Sequence, residues 1–219
     1  KPTTSSYILD IGSGTGHHVG NLCNKGYKTI GIDIAPAMVK KSKINYPKCK
    51  FINNDVLKTI NFNQNTFTHI TSLYFTIYYI KNKKLFFDNC MYWLMPGGYL
   101  ILHLVNKYKF DPILPISNPL LFINPQKYAS KRITSSVAKF DNYDYKSDFV
   151  LKEDKVLFNE TFKNKKNGSV IKNELDLYIE KQSNILSLAR SSGFILLSTT
   201  EMTKCNYENQ YIYVLQKPN

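Results

Sequence analysis

The sequence predicts an α/β fold: a doubly wound, mostly parallel sheet of seven strands with an antiparallel β-meander inserted after the fifth strand. Three observations lead to this prediction. Apolar strand-like runs alternate with helical patterns five times before residue 106, which is typical of βαβ units and a parallel sheet. Residues 136–180 change to alternation with a period of two, which indicates antiparallel strands. The α/β pattern then returns at residue 181 and continues to the end of the chain.

Five strands and three helices are predicted before the insertion. The helical patterns begin or end where proline and glycine favour a boundary, with Pro36 near one start, Gly26 at one end and Pro96-Gly97-Gly98 at another. The fifth strand is almost wholly apolar, so we expect it to be buried. The predicted strands are 7–11, 28–33, 48–55, 67–75 and 99–105, and the predicted helices are 18–25, 35–46 and 83–95.

The insertion and the closing segment follow a different pattern. Residues 109–126 contain four prolines and predict neither helix nor strand. The meander after them turns at 163–168, and Gly193 ends the next helix. That helix is predicted at 181–192, and the last strands at 194–201 and 210–217. We divide the chain into a core at 1–106, an insertion at 107–180 and the closing helix and strands of the core at 181–219.

Composition and cysteine usage limit the classes of protein. The chain has 219 residues, of which 43% are hydrophobic and 14% aromatic, enough for a buried core. Its four cysteines form no CxxC pair, which disfavours a zinc site or a disulfide framework and suits a reducing compartment. No apolar run is long enough to span a membrane, and the N-terminus does not resemble a signal peptide. We therefore expect a cytoplasmic protein without a membrane partner.

The net charge of +13 raises the question of a nucleic-acid partner. Only two of the 29 basic residues are arginines, Arg132 and Arg190, whereas nucleic-acid surfaces favour the planar fork of arginine. The chain is also rich in Asn, Ile and Tyr, a mixture typical of AT-biased coding. A nucleic acid is therefore a possible partner that the composition does not favour.

The glycine-rich segment Gly12–Gly16 lies between the first strand and the first helix, where doubly wound sheets bind nucleotide-type ligands. Glycine permits positive φ and lets the backbone approach a ligand closely. Asp33 ends the second strand 21 residues after Gly12, where a carboxylate can accept hydrogen bonds from ribose hydroxyls. The spacing lacks the last glycine of the dinucleotide fingerprint, which packs the helix that faces a pyrophosphate. This favours a ligand without pyrophosphate, such as S-adenosylmethionine (SAM).

Several segments together resemble the class I SAM-dependent methyltransferases, which have a Rossmann-like fold. The segment ILDIGSGTG resembles their first motif, GIDIAPAMV the second and FINNDVL the third. HITSLYFTIYYI stands where the fourth motif ends, and LMPGGYLIL matches the turn before the fifth strand. The resemblance covers residues 7–105 well and the last two strands loosely. It implies SAM as the cofactor and S-adenosylhomocysteine as the product.

The resemblance also implies which residues contact the cofactor. Asp33 would bind the ribose, Met38 would flank the adenine, and Asp55 would meet the adenine amino group with Val56 at the ring edge. The complete set of expected cofactor-binding residues is Asp10, Gly12, Ser13, Gly14, Thr15, Gly16, His17, Asp33, Ile34, Met38, Asn54, Asp55, Val56, Ser72 and Leu73.

Some of these residues have a second interpretation. Asp55 would equally suit the cap of the next helical turn. Asp10 would hold the glycine loop, approach the SAM amino group, or do both. His17 would contact the carboxylate of the ligand or lie at the surface as an ordinary histidine. No metal site is predicted, since the four histidines have no partners at ligand spacing.

The acceptor is suggested by the loop after the fourth strand. TSLYFTIYYI lacks the D/N-P-P-Y/F/W motif of methyltransferases that act on the exocyclic amines of bases and on amides. Ser72, Leu73 and Tyr74 instead resemble the loop of small-molecule enzymes such as aminosugar N,N-dimethyltransferases and glycine N-methyltransferases. In that layout the inserted sheet is a lid over the acceptor site. The resemblance therefore implies a small molecule with an amine or hydroxyl group as the methyl acceptor.

The acceptor pocket is expected at the carboxyl ends of the fourth and fifth strands. Tyrosine rings there would attract a sulfonium or a methylated ammonium by roughly 0.5–2 kcal/mol, although Tyr78 and Tyr79 would equally suit the packing of a helix start. His103 has a suitable reference pKa for a general base, unless the strand directs it into the core. We assign Tyr74 and His103 as catalytic residues, and Tyr78, Tyr79, Asn106 and Arg132 as substrate contacts; Arg132 would otherwise lie at the surface.

Two other functions remain open. An RNA or protein methyltransferase is favoured only by the charge. A non-catalytic homologue that binds SAM, or nothing, is disfavoured by the intact glycine loop and by Asp33. The chain begins six residues before its first strand, whereas class I methyltransferases usually have one or two helices upstream, so we expect a fragment of a longer protein.

Overall fold

A computed structural model describes residues 1–109, 130–153, 155–205 and 208–219. These residues form two compact units, one made of Lys1–Tyr108 with Lys181–Asn219 and the other of Lys109–Glu180. The proline-rich segment at 109–126 lies outside the described residues, except for Lys109. Within the described part, no helix is long and apolar enough to cross a membrane.

The first unit combines seven strands with five α-helices among the described residues. Its strands are β1 (Tyr7–Ile11), β2 (Lys28–Asp33), β3 (Lys50–Asn53), β4 (Phe67–Ser72), β5 (Leu94–Val105), β10 (Ile195–Glu201) and β11 (Gln210–Gln216). Its helices are α1 (His17–Asn24), α2 (Pro36–Asn45), α3 (Thr76–Tyr79), α4 (Lys83–Trp93) and α5 (Gln182–Ser191).

The seven strands form one sheet in the order β10-β11-β5-β4-β1-β2-β3. Strands β1 to β5 pair in parallel, while β11 runs antiparallel to both of its neighbours, β5 and β10. This confirms the predicted mostly parallel, doubly wound sheet. The chain builds the sheet outward from β1 to β3 and then returns to the other side of β1 with β4. The strand order therefore reverses between β1 and β4, which is where open α/β sheets bind ligands.

The apolar strands of the first unit are buried because helices lie along the sheet. Leu9 in β1 and Leu100 in β5 are fully covered, and the Trp93 ring at the end of α4 is buried with its indole N–H bonded to the carbonyl of Thr59 at 3.0 Å. Helix α4 is capped at its start by Asn82, whose side chain accepts a hydrogen bond from the N–H of Leu85. These buried apolar residues form a packed core around the sheet, and this core supports the site.

The boundary between α4 and β5 differs from the prediction. The helix ends at Trp93, two residues earlier than the predicted 95, and β5 begins at Leu94 and not at 99. Leu94 pairs with Phe67 of β4, and the register shifts before Tyr99 pairs with His69. The Pro-Gly-Gly segment is therefore an irregularity inside the strand, because pairing with β4 extends β5 across it.

The second unit is a four-stranded antiparallel sheet. Its strands, in the order β6-β7-β8-β9, are β6 (Ser135–Lys139), β7 (Tyr143–Leu151), β8 (Val156–Asn164) and β9 (Val170–Leu177). Each strand pairs with the next one along the chain. This confirms the predicted meander after the fifth strand. Its role as a lid stays a prediction, as do the three domain bounds.

Candidate functional site

The glycine-rich loop leaves the carboxyl end of β1 and leads into α1. Gly12, Gly14 and Gly16 have φ values of +69°, +53° and +88°, a region that residues with a side chain rarely adopt. A Cβ atom at Gly12 would lie 2.5 Å from the side chain of Thr76, and one at Gly16 would lie 2.7 Å from the ring of Phe51. Gly12 and Gly16 therefore allow the loop to fit against the protein itself.

Gly14 faces open space. A Cβ atom at this position would meet no described atom within 4 Å. Its N–H donates a hydrogen bond to Oδ2 of Asp33 at 2.8 Å, which holds the tip of the loop toward β2. The middle glycine is therefore the position where a ligand can lie directly against the backbone.

Asp33, at the end of β2, joins the loop to the turn that precedes α2. Its Oδ2 accepts from Gly14, and its Oδ1 accepts from the N–H of Ala35 at 2.8 Å. A carboxylate offers about four lone-pair sites, so these two bonds leave capacity for further donors such as ribose hydroxyls. The sequence assigned Asp33 only to the ligand, and the structure adds a role in shaping the loop.

Asp10 lies buried beneath the loop. Its Oδ1 accepts a hydrogen bond from the hydroxyl of Thr71 in β4 at 2.6 Å. Burial raises the pKa of Asp10 to about 7; the nearby charge of Asp33 acts in the same direction, and the Thr71 hydrogen bond opposes both. The carboxyl therefore titrates near neutral pH.

We expect the Asp10→Asn variant to lack a pH dependence of stability that the wild-type protein shows. The pKa of Asp10 is about 7 when folded and about 3.9 when unfolded, so the folded state holds the proton more tightly and stability falls as the pH rises through this window. The full difference of about three units corresponds to a loss of up to about 4 kcal/mol, of which about two units, or about 2.7 kcal/mol, fall between pH 5 and pH 8. Urea unfolding without ligand at pH 5 and pH 8 measures it.

Asp88→Asn is the matched control for this measurement. Asp88 is paired with Lys84 at the surface of α4, and its pKa lies below the usual value, so it does not titrate between pH 5 and pH 8. If Asp10→Asn followed the wild type across this range, the proposed titration of Asp10 would be wrong.

Exposed apolar side chains lie where the adenine ring was predicted. Ile34, next to Asp33, is 68% exposed, and Met38 in α2 is 45% exposed. Asn54 follows β3, and its N–H donates to the carbonyl of Asp33 at 3.2 Å. The ends of β2 and β3 therefore place uncovered apolar surface and a polar backbone together, as a planar heterocycle would require.

Asp55 holds the turn after β3 and does not cap the next helical turn, which begins at Thr59 with Lys58 as its first flanking residue. Its Oδ1 accepts from the N–H of Leu57 at 2.9 Å, and its own N–H donates to the side chain of Asn54 at 2.9 Å. Val56 is half-buried, and its carbonyl accepts from Asn89 at 3.0 Å. The bond from Leu57 occupies one carboxylate oxygen of Asp55, and the contact of Asp55 with adenine stays a prediction.

The loop after β4 contains a strained residue. Tyr74 has a φ of +52° and is 56% exposed, although the left-handed region costs residues other than glycine about 1–2 kcal/mol. The preceding Ser72 is buried, and its hydroxyl has no hydrogen-bond partner among the described residues. Leu73 between them is half-buried. Strain of this kind is found at binding and catalytic sites.

Four rings meet beside this loop. The Tyr74 ring lies 6.1 Å from the His18 imidazole and 6.2 Å from the His103 imidazole, centroid to centroid. His103 also stacks on Phe75 at 6.0 Å. We call these four residues the ring cluster. It brings the first turn of α1, the β4 loop and β5 to one place.

His103 is the buried member of the ring cluster. It is 4% exposed, and its Nε2 has no hydrogen-bond partner among the described residues. Burial lowers the pKa of His103, while a hydrogen bond with the side chain of Gln210 acts in the opposite direction. Burial therefore favours the neutral imidazole, and its buried Nε2 is left without a hydrogen bond to the described residues.

The position of Tyr78 differs from its assignment as a substrate contact. Its ring is fully buried, and its hydroxyl accepts from the N–H of Val105 at 2.8 Å and lies 3.3 Å from the carbonyl of the same residue. Tyr78 therefore anchors β5 from within the core, which is the packing role that the sequence left open, and it offers no surface to a substrate. The neighbouring Tyr79 on α3 is exposed.

The remaining assigned residues lie at the edge of the site or in the other unit. Asn106 follows β5, and its side chain accepts from the N–H of Tyr108 at 3.0 Å. His17 is exposed and contacts Asn21. Arg132 belongs to the second unit, where it lies over an aromatic ring. Their ligand contacts stay predictions, as do those of the buried Ser13 and the exposed Thr15.

Sequence reasoning missed three neighbours of the site: His18, Thr71 and Phe75. Thr71 bonds Asp10, Phe75 stacks on His103, and His18 contacts Tyr74. The pair of histidines directly after the glycine loop was the one available signal. In the described ranges, no group of three or more His, Cys, Asp or Glu side chains could hold a metal ion.

Comparison with known proteins gives a family match for part of the chain, and a fold for nearly all of it. Residues 9–102 match the methyltransferase domain family. Among curated protein sequences, none matches the chain. The solved structures described next share 15–18% identity with it and so show the fold alone.

Three of these structures cover nearly the whole chain. A SAM-dependent methyltransferase from Clostridium acetobutylicum has a TM-score of 0.76 at 18% identity, covering 97% of this chain and 84% of that one. The sugar N-methyltransferase KedS8 from a Streptoalloteichus species has a TM-score of 0.71 at 15% identity, covering 98% and 81%. CalS10, an amino pentose methyltransferase from Micromonospora echinaspora solved with SAM bound, has a TM-score of 0.66 at 15% identity, covering 97% and 83%.

Proposed function

We propose that the chain is a SAM-dependent methyltransferase and that its methyl acceptor is a small molecule with an amine or hydroxyl group. Residues 9–102 match the methyltransferase domain family, which supports the activity. A small molecule is the class of acceptor that the loop after β4 indicates. KedS8 is a sugar N-methyltransferase, and CalS10 is an amino pentose methyltransferase.

The residues at the carboxyl ends of β1, β2 and β3 fit SAM. The open space at Gly14 admits a ligand against the loop backbone. Asp33 retains lone pairs for ribose hydroxyls, and the exposed Ile34 and Met38 offer apolar surface to the adenine. When bound, SAM supplies a methyl group already activated by the sulfonium.

The protein itself would then position the methyl acceptor and take up its proton. An acceptor must approach the methyl in line, with water excluded, because the leaving group needs no further activation. The exposed ring of Tyr74 offers a face to a cationic centre. An acceptor amine reacts only when neutral, so a group that takes its proton is needed when it arrives as an ammonium.

His103 carries the proposal. It is a neutral imidazole whose Nε2 has no partner among the described residues, and it lies beside the exposed ring of Tyr74. We propose that this nitrogen takes the proton of the acceptor and that Tyr74 positions the acceptor over it. Tyr79 and Asn106 are proposed as further substrate contacts.

His103→Gln is expected to lower kcat by about 100-fold or more, since positioned general bases contribute about 10²–10⁴-fold. The affinity for SAM should not change, because the ring contacts of His103 are with Tyr74 and Phe75, and neither is an expected cofactor residue. The wild-type rate should fall as the pH drops below 6.5, where the lowered pKa of His103 lies, and the variant should lose this dependence. Steady-state kinetics between pH 5 and pH 9 measure both effects.

His69→Gln is the matched control, since His69 is also a strand histidine, half-buried where His103 is buried, and it pairs with Ile8 near the start of β1. It should keep the wild-type kcat and pH profile. A His103→Gln variant with an unchanged kcat would mean that His103 is a core histidine only.

Transfer of labelled methyl from SAM tests the acceptor class directly. Small amines, amino sugars and small hydroxyl compounds are offered in parallel with bulk RNA and with a mixture of proteins. Label in a small molecule supports the proposal. Label in RNA that decreases steeply with salt would contradict it and would favour a nucleic-acid substrate.

A further inference from the structure

The strained loop after β4 is fixed at one end by the sheet and at the other by the glycine loop. Ser72, at its start, is the last residue of β4 and is buried. Thr76, at its end, begins α3, and its side chain would lie 2.5 Å from a Cβ atom added at Gly12. The backbone on either side of Tyr74 is therefore held by contacts that do not involve the tyrosine ring.

The ring of Tyr74 is held from two sides by histidines. In the described part of the chain, it has aromatic contacts with His18 at 6.1 Å and with His103 at 6.2 Å, centroid to centroid. The backbone of Tyr74 has a φ of +52°, and strained conformations persist only where their surroundings hold them. One aromatic pair is comparable in energy to the strain of a left-handed residue. Loss of either histidine ring therefore removes an interaction about as large as the strain.

His18 reaches Tyr74 from the side of the cofactor loop. It lies in the first turn of α1, two residues after Gly16, and is half-buried. Burial lowers the pKa of His18, and the neighbouring His17 acts in the same direction, so the neutral ring is favoured. His18 therefore meets Tyr74 as an aromatic ring without a charge, and a phenylalanine could take over this contact.

We propose that His18 is a positioning residue for the methyl transfer, and that its ring holds Tyr74 against His103 so that the tyrosine ring faces the acceptor. His18 acts through Tyr74 and need not touch the acceptor or the methyl group. The inference rests on the proposed function, in which Tyr74 positions the acceptor beside the Nε2 of His103. Because α1 follows the glycine loop directly, the segment expected to hold SAM then also fixes the acceptor.

A double-mutant cycle of His18→Ala and Tyr74→Ala tests this role in the full chain. The rate is the transfer of labelled methyl from SAM to the small amines, amino sugars and hydroxyl compounds of the acceptor assay. His18→Ala should lower this rate by about 10-fold to 100-fold, the size expected for a displaced reacting group. In a Tyr74→Ala background the same change should have no further effect, since His18 acts through the tyrosine ring. A further loss of equal size there would contradict the inference.

His18→Phe and Asn24→Ala are the controls. His18→Phe keeps a ring on α1 and should keep the wild-type rate, so a loss as large as that of His18→Ala would overturn the inference. Asn24 is exposed at the last residue of the same helix, and Asn24→Ala should leave the rate unchanged. Calorimetric titration should give the same SAM affinity for all these proteins. Weaker SAM binding by His18→Ala would make His18 a cofactor contact instead.

Hydrogen exchange separates this inference from the proposed function, because it needs no acceptor. The N–H groups of Thr76 and Tyr78 donate hydrogen bonds within the loop and α3. Without SAM, both should exchange faster in His18→Ala than in the wild type or in His18→Phe, and unchanged exchange would overturn the inference. A wild-type protein that methylates none of the small molecules would overturn the proposed function instead, and the exchange rates would still decide whether His18 holds Tyr74.

Discussion

Gly14→Val is expected to abolish SAM binding while the protein stays folded. The valine side chain would enter the open space in front of the loop, where no described atom lies within 4 Å of the added Cβ. Blocking that space removes the whole binding free energy, which is about 8 kcal/mol for a micromolar ligand. The same position has a φ of +53°, so we also expect a stability loss of about 1–2 kcal/mol. Calorimetric titration with SAM and thermal unfolding measure the two effects separately.

Gly26→Val is the matched control for this experiment. Gly26 has a φ of +84° and also no described atom within 4 Å of an added Cβ, but it lies just beyond the other end of α1. It should lose similar stability and keep its affinity for SAM. Equal affinity losses in both variants would show that strain alone is responsible, and a Gly14→Val protein that binds SAM would contradict the placement of the ligand.

Asp33→Ala is expected to weaken SAM binding by about 1–3 kcal/mol, or about 5-fold to 150-fold. The variant removes the acceptor for ribose hydroxyls and also the hydrogen bonds from Gly14 and Ala35. Titration with SAM and with S-adenosylhomocysteine should show similar losses, because both ligands carry the same ribose. NAD serves as the negative control ligand.

Two further variants separate the roles of Asp33. Asp33→Asn keeps one acceptor oxygen, so its loss of affinity should be smaller than that of Asp33→Ala. Asp88→Ala removes a surface carboxylate that pairs with Lys84 on α4 and should leave the affinity unchanged. An Asp33→Ala protein with wild-type affinity would mean that the ribose does not reach the end of β2.

The local sequence pattern was sufficient to predict the first strands of the sheet. The strands predicted at 7–11 and 28–33 have the same bounds in the structure, and the first helix is displaced by one residue. Short apolar runs ending in Gly or Asp carry this information within a few neighbouring residues. The boundary between α4 and β5 was not predictable in this way, because Leu94 becomes a strand residue by pairing with Phe67.

At the site, the three glycines of the loop also show what the local sequence predicts and what only the folded structure decides. Their spacing predicted a ligand loop, yet it did not distinguish one glycine from another. Gly12 and Gly16 are required by Thr76 and Phe51 respectively, residues far away in the sequence. Only the folded chain shows that Gly14 alone of the three faces open space.

The sequence alone therefore determined the α/β class, the glycine loop, the acid that ends β2 and the family model that residues 9–102 match, because each is encoded in contiguous residues. The tertiary structure decided which side chains meet: Tyr74 with His18 and His103, Asp10 with Thr71, and Tyr78 with the backbone of β5. These contacts join residues from different elements. Whether a tyrosine or a histidine is a ligand contact or part of the core depends on the packing around it, and neither spacing nor composition records that packing.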